Sequence, residues 1–83
     1  MALLFAPAAV REIERMPKAD RDRMIQALQA VADEPSRRLP FVTEMAGRPG
    51  EWRLRKGNWR AIFRVEQQDV VVLLVGHRRE IYR

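Results

Sequence analysis

Apolar positions recur along this chain with two different periods, and the change of period divides it. In the first half they fall at Ala6, Ala9, Val10, Ile13 and Met16, with Arg11, Glu12, Glu14 and Arg15 outside the stripe. That spacing predicts one face of a helix. Pro7 suits the first helical turn, and Pro17 ends or turns the helix. A second helix is predicted from about Lys18 to Asp33, with its stripe at Met24, Ile25, Leu28, Val31 and Ala32. Asp20 near its start suits the helix dipole. The tight connection predicts an antiparallel helical hairpin. Ahead of it, Ala2–Phe5 is a short apolar run before a proline and reads as a strand.

Glu34-Pro35 closes the second helix, and residues 36–40 form a basic connector. Residues 41–45 leave two readings open, with Phe41, Val42 and Met45 capping the core on a turn or on a short helix. A turn follows at residues 47–50. Then the period becomes two. Trp52, Arg53, Leu54 and Arg55 alternate, and so do Trp59, Arg60 and Ala61. Gly57-Asn58 lies between the runs, and a Gly at the first central position suits a two-residue type II′ turn. That turn fixes a register: Lys56 opposite Trp59, Arg55 opposite Arg60, Leu54 opposite Ala61, Arg53 opposite Ile62, Trp52 opposite Phe63, Glu51 opposite Arg64. Directly opposed residues share a face. Trp52, Leu54, Ala61 and Phe63 therefore form an apolar face, and Arg53, Arg55 and Arg60 come together on the other. Both tryptophans read as core or sheet-edge packing, with Trp59 half exposed. After a turn at residues 67–69, the unbroken apolar run of residues 70–75 predicts a strand buried on both faces in the middle of the sheet.

The element order is β-α-α-β-β-β, an α+β fold with a two-helix hairpin on one face of a small, mostly antiparallel sheet. The chain has 83 residues, which is one domain spanning residues 1–83. A domain this small buries only about 60% of its unfolded-chain surface.

An arginine directly across from an arginine is unfavourable in a bare sheet. An anion between them removes the cost, and the guanidinium fork matches phosphate oxygens. Three arginines converging on one face therefore favour a phosphate site over a solvated basic face. The formal net charge of +5 points the same way, to nucleic acid or an acidic protein segment. No cysteine is present and only one histidine, so thiolate-zinc and multi-histidine metal sites are excluded within one chain. The apolar run of residues 3–10 is short, interrupted by Pro7 and without a preceding basic segment. It makes a poor signal peptide and cannot span a bilayer. The expectation is a soluble cytoplasmic protein with no membrane partner and no cofactor.

Beyond the last strand come Gly76, His77, Arg78, Arg79, Glu80, Ile81 and Tyr82. Beside the hairpin they add guanidinium groups, an imidazole, a carboxylate and a phenol to the arginine face. RNA brings its own nucleophile, the 2′-hydroxyl. An enzyme acting on it needs in-line orientation, positive charge for the developing phosphorane, a base and an acid. Arginine stays protonated and is a poor base, which leaves His77, Tyr82 and Glu80 as proton-transfer candidates. Other roles remain open: His77 as a strand-end residue bonded to backbone, Tyr82 as a stacking platform, Glu80 as an arginine's partner.

The helical hairpin ending in ADEP, the stretch MAGRPGEWRLRKGNWRAIFRV and the finish VVVLLVGHRREIYR resemble the RelE/ParE superfamily of bacterial type II toxins, the RelE branch most closely. The resemblance covers nearly the whole chain. It implies a metal-independent, ribosome-dependent mRNA endonuclease that cuts the A-site codon by 2′-hydroxyl attack. Matched by motif, the family's active-site positions fall on Arg53, Arg55, Arg60, Arg78 and Tyr82. Some relatives carry lysine where Arg53 and Arg55 stand, which leaves His77 or Tyr82 to act as base here. The resemblance also implies a cognate antitoxin, and operator DNA bound only through the toxin–antitoxin complex. Two alternatives share the scaffold: a ParE-like inhibitor of DNA gyrase that cleaves nothing, and a non-catalytic member that only binds its antitoxin.

Overall fold

Backbone constraints at a few residues set the element boundaries. Pro7 opens α1 (Pro7–Arg15), and Pro17 stands directly before α2 (Lys18–Asp33). The structure, a computed structural model, describes residues 2–34 and 39–78. Its strands are β1 (Ala2–Phe5), β2 (Val42–Glu44), β3 (Glu51–Lys56), β4 (Trp59–Glu66) and β5 (Asp69–His77). They form one five-stranded sheet in the order β1-β5-β4-β3-β2. Only the β1–β5 pair is parallel. Residues 41–45 thus hold a short edge strand where the sequence left a turn or a short helix. Three strand residues are too few to show a period.

The hairpin register is the one the Gly57-Asn58 turn dictates, from Lys56↔Trp59 through Arg55↔Arg60 to Glu51↔Arg64. Gly57 sits at φ +60° while Asn58 stays at negative φ, as a type II′ turn requires. A Cβ at position 57 would meet no atom within 4 Å. Gly57→Ala is therefore expected to cost about 1–2 kcal/mol, through the left-handed backbone alone. Chemical denaturation checks this.

Both helices cover one face of the sheet. Leu54, Ala61, Phe63, Val70, Val72 and Val75 meet Ala9 and Met16 from the α1 side and Met24, Ala27, Leu28, Val31 and Ala32 of α2. Trp52 stacks on its cross-strand partner Phe63, centroids 6.5 Å apart. Two expected core positions lie elsewhere. Val10 is 42% exposed, and Ala27 takes the buried place expected for Ile25. The helix surfaces satisfy their own charges through Arg15–Glu12, Lys18–Asp22 and Arg23–Asp20. The Lys18 hydrogen bond holds the Asp22 carboxyl below its ordinary range. Among the described residues, no helix is long and apolar enough to cross a membrane.

β5 is an interior strand, but it is not buried on both faces. It carries an irregularity: Ile62 pairs with Leu74 while Phe63 pairs with Val72. Leu73 is the extra residue of a bulge, and a bulge reverses which face the following side chains take. Val70 and Val72 point to the helices before it, and Val75 does so after it. Leu74 emerges on the far face, 39% exposed.

Candidate functional site

The face away from the helices is built by alternation. Arg53 and Arg55 come from β3, with Ile62 and Arg60 directly across from them on β4. Gly76 of β5 stands across from Arg60 and puts no side chain beside it. The Arg78 N–H donates to the Asn58 carbonyl at 2.8 Å, so the chain past β5 stays tied to the hairpin turn. Arg78 itself lies one residue past β5 and is exposed.

His77 goes the other way. It pairs with Trp59 and meets its ring edge to face, centroids 5.6 Å apart. The sequence placed His77 with the arginines because the segment after the last strand was expected to lie at one edge of their face beside the hairpin. The Leu73 bulge shifts the parity by one and puts His77 on the helix side. Tyr82, Arg79 and Glu80 lie outside the described residues.

Each arginine is held differently. Arg60 donates through one terminal nitrogen to the carbonyls of Gly57 and Trp59, both at 3.0 Å. This clamps its guanidinium over the hairpin turn, while its Nε and second terminal nitrogen keep donors in hand. Arg55 is exposed, and Arg53 is half-buried with its Nε shielded from solvent. Among the described residues, no carboxylate pairs with Arg55, Arg60 or Arg78. The nearby acids are engaged elsewhere, Glu51 with Arg48 at 3.1 Å and Glu66 with Arg64 at 2.6 Å. Among the described residues, arginines beside the cluster are thus neutralised while Arg55 and Arg60, opposed across two strands, have no counter-charge. Such a surface suits an anion with several acceptor oxygens.

Beside Arg53 the sequence reading missed a feature. A cleft of about 460 Å³ opens at the β2 edge, lined by Thr43, Glu44, Met45, Ala46 and Arg53. The one sequence signal for it was the β-branched pair Val42-Thr43, which favours a strand.

The sequence profile of the ParE toxin of the type II toxin–antitoxin system parDE matches residues 3–82. The chain belongs to this toxin family. No curated protein matches it. Among solved structures, this toxin is similar to a chain of the RelB–RelE antitoxin–toxin complex from Methanococcus jannaschii. That match has 25% identity and a TM-score of 0.80, over 95% of this chain and 94% of the other. The intact E. coli RelBE complex matches at 24% identity and TM-score 0.76, over 92% and 94%. The E. coli DinJ–YafQ complex matches at 11% and 0.77, over 98% and 96%. The fold is therefore RelE-like, and the chain is a type II toxin of the RelE/ParE superfamily.

Proposed function

We propose that this toxin is a ribosome-dependent mRNA endonuclease, acting in the RelE manner on the codon in the A site. The observation that carries the reading is the Arg55–Arg60 opposition, with Arg53 on the same face and Arg78 tied by its main-chain N–H to the hairpin turn. The 2′-oxygen attacks the adjacent phosphorus, and the bond from phosphorus to the 5′-oxygen breaks. A 2′,3′-cyclic phosphate and a 5′-hydroxyl result. Arg55, Arg60 and Arg78 stabilise the charge that develops on the phosphorane oxygens. Tyr82 is the leading proton-transfer group. His77, on the opposite face, acts by holding the strand end through Trp59. A cognate antitoxin, acidic enough to neutralise this face, is the expected protein partner, as in the antitoxin–toxin complexes that share the fold.

The test is to incubate the toxin with ribosomes programmed with a defined message and to map the new RNA ends. Cleavage within the A-site codon is expected, and a message left whole at saturating toxin contradicts the reading. The match to the ParE profile favours a second reading, inhibition of DNA gyrase without cleavage. Supercoiling inhibited by a toxin that leaves messages whole would establish it.

RNA affinity is expected to fall as salt rises, because each arginine–phosphate contact releases counterions. Arg55→Ala is expected to reduce the slope of log affinity against log salt by about 0.7, the value for one phosphate on a single strand. A slope unchanged in this variant would remove Arg55 from the phosphate site.

A further inference from the structure

The sheet has two open edges, and they are guarded unequally. β2 at one end has three residues, one of them Glu44, and the Val42 N–H is taken by the Leu39 carbonyl at 3.0 Å. Shortness and an edge charge are devices that keep a strand from pairing with another chain. β1 at the other end reads Ala2, Leu3, Leu4, Phe5, and among the described strands it alone has no charged side chain. The Ala6 N–H donates to the Val72 carbonyl at 2.8 Å, in a register that sets Leu3 beside Val70 and Phe5 beside Val72. Ala2, Leu4 and Ala6 therefore bond inward to β5, while Leu3 and Phe5 turn their main-chain N–H and C=O to the open side. Among the described residues, none takes these groups. The side chains divide differently: Leu3 and Phe5 pack on the helix-side core, and Leu4 stands on the far face, 47% exposed.

We propose that β1 is the docking edge for a second copy of this chain, paired antiparallel about a two-fold axis that passes between the two Leu4 residues. An isologous contact must be self-complementary. Of the registers a two-fold axis allows, only Leu3 opposite the second copy's Phe5 uses both open residues of each chain. Each such pair exchanges both its N–H···O bonds, and the Leu4 pair between them is unbonded and close, with Cα atoms about 4.5 Å apart. The exposed Leu4 side chain then packs on its own twin. Charge favours a second copy over another partner. Chains at net +5 repel each other, so copies meet where charge is absent, and β1 is such a stretch. The acidic partner expected at the arginine face finds no counter-charge on β1. Edge pairing leaves Arg55 and Arg60 uncovered, so it holds whether or not the toxin cuts RNA. The contact is small beside the roughly 800 Å² per partner of a stable complex, so the pair forms reversibly as concentration rises.

The experiment is a concentration series of the full chain by sedimentation equilibrium, with amide exchange read on the same samples. A monomer–dimer equilibrium is expected, with the Leu3 and Phe5 amides gaining protection as dimer forms. Leu4→Lys sets like charges face to face and is expected to weaken association at least about tenfold, with a melt close to wild type. The chain has no cysteine, so single cysteines report the register independently of the lysine variant. Leu4→Cys brings two thiols within disulfide reach, about 4.4–6.8 Å between Cα atoms. Ala2→Cys, on the same face two residues away, holds them roughly 13 Å apart along the strands. Mild oxidation is expected to link Leu4→Cys chains and to leave Ala2→Cys chains unlinked. A chain that stays monomeric at millimolar concentration, equal linking of the two cysteine variants, or association that Leu4→Lys leaves unchanged overturns the proposal. So does dimer formation without protection at Leu3 and Phe5, which would place the contact on another surface. Protection already complete at the lowest concentration also overturns it, because the edge would then be filled without a second copy.

Discussion

The double variant Arg55→Ala, Arg60→Ala is expected to cut messages at least about a thousandfold more slowly than wild type and to fold at least as stably. Removing a single preorganised donor from a transition-state site costs about 10²–10³ in rate. The two losses are not strictly additive, because both groups hold one phosphate. The stability half follows from the register. Arg55 and Arg60 are directly opposed, and like charges in that position destabilise a sheet by a few tenths of a kcal/mol up to about 1 kcal/mol. Arg60 also donates to the Gly57 and Trp59 carbonyls over the turn, and losing those bonds offsets part of the gain. Single-turnover cleavage with a thermal melt of the same sample reads both. A variant that unfolds would show the pair to be structural, and one that cuts normally would show it to be idle.

Phe63→Ala is expected to destabilise the fold by about 3–5 kcal/mol. Phe63 is fully buried on the helix side of β4 and stacks on Trp52 across the hairpin. It also lies beside the bulge, where its pairing with Val72 follows that of Ile62 with Leu74. Small domains have roughly 5–15 kcal/mol of stability in total, so this change uses a large share of it. Urea denaturation measures the effect. A loss below about 1 kcal/mol would mean that the core is far less tightly packed around β4 than its burial indicates.

Most of the hairpin was legible because its turn is. A two-residue loop at Gly57-Asn58 leaves no freedom in the count, so every cross-strand pair from Lys56↔Trp59 to Glu51↔Arg64 followed from one glycine. No such count was open on β5. Its run of valines and leucines is apolar at every position, so no alternation betrays the extra residue at Leu73. The bulge then put His77 beside Trp59 and away from the arginines. β2 was illegible for want of length, and with it the cleft beside Arg53. Val10 satisfied the helical stripe of α1, yet α1 leaves it 42% exposed. Helical spacing gives a stripe but not the width that a small sheet can cover.

The most direct test of the arginine face is to follow the arginine Nε–H resonances while a short single-stranded RNA is titrated in. Arg55 and Arg60 are expected to shift together at a single stoichiometry, whereas Arg48 and Arg64, already paired with Glu51 and Glu66, stay in place. Shifts spread evenly over all these arginines, or confined to Arg48 and Arg64, would show that opposing guanidinium groups across β3 and β4 does not make a phosphate site.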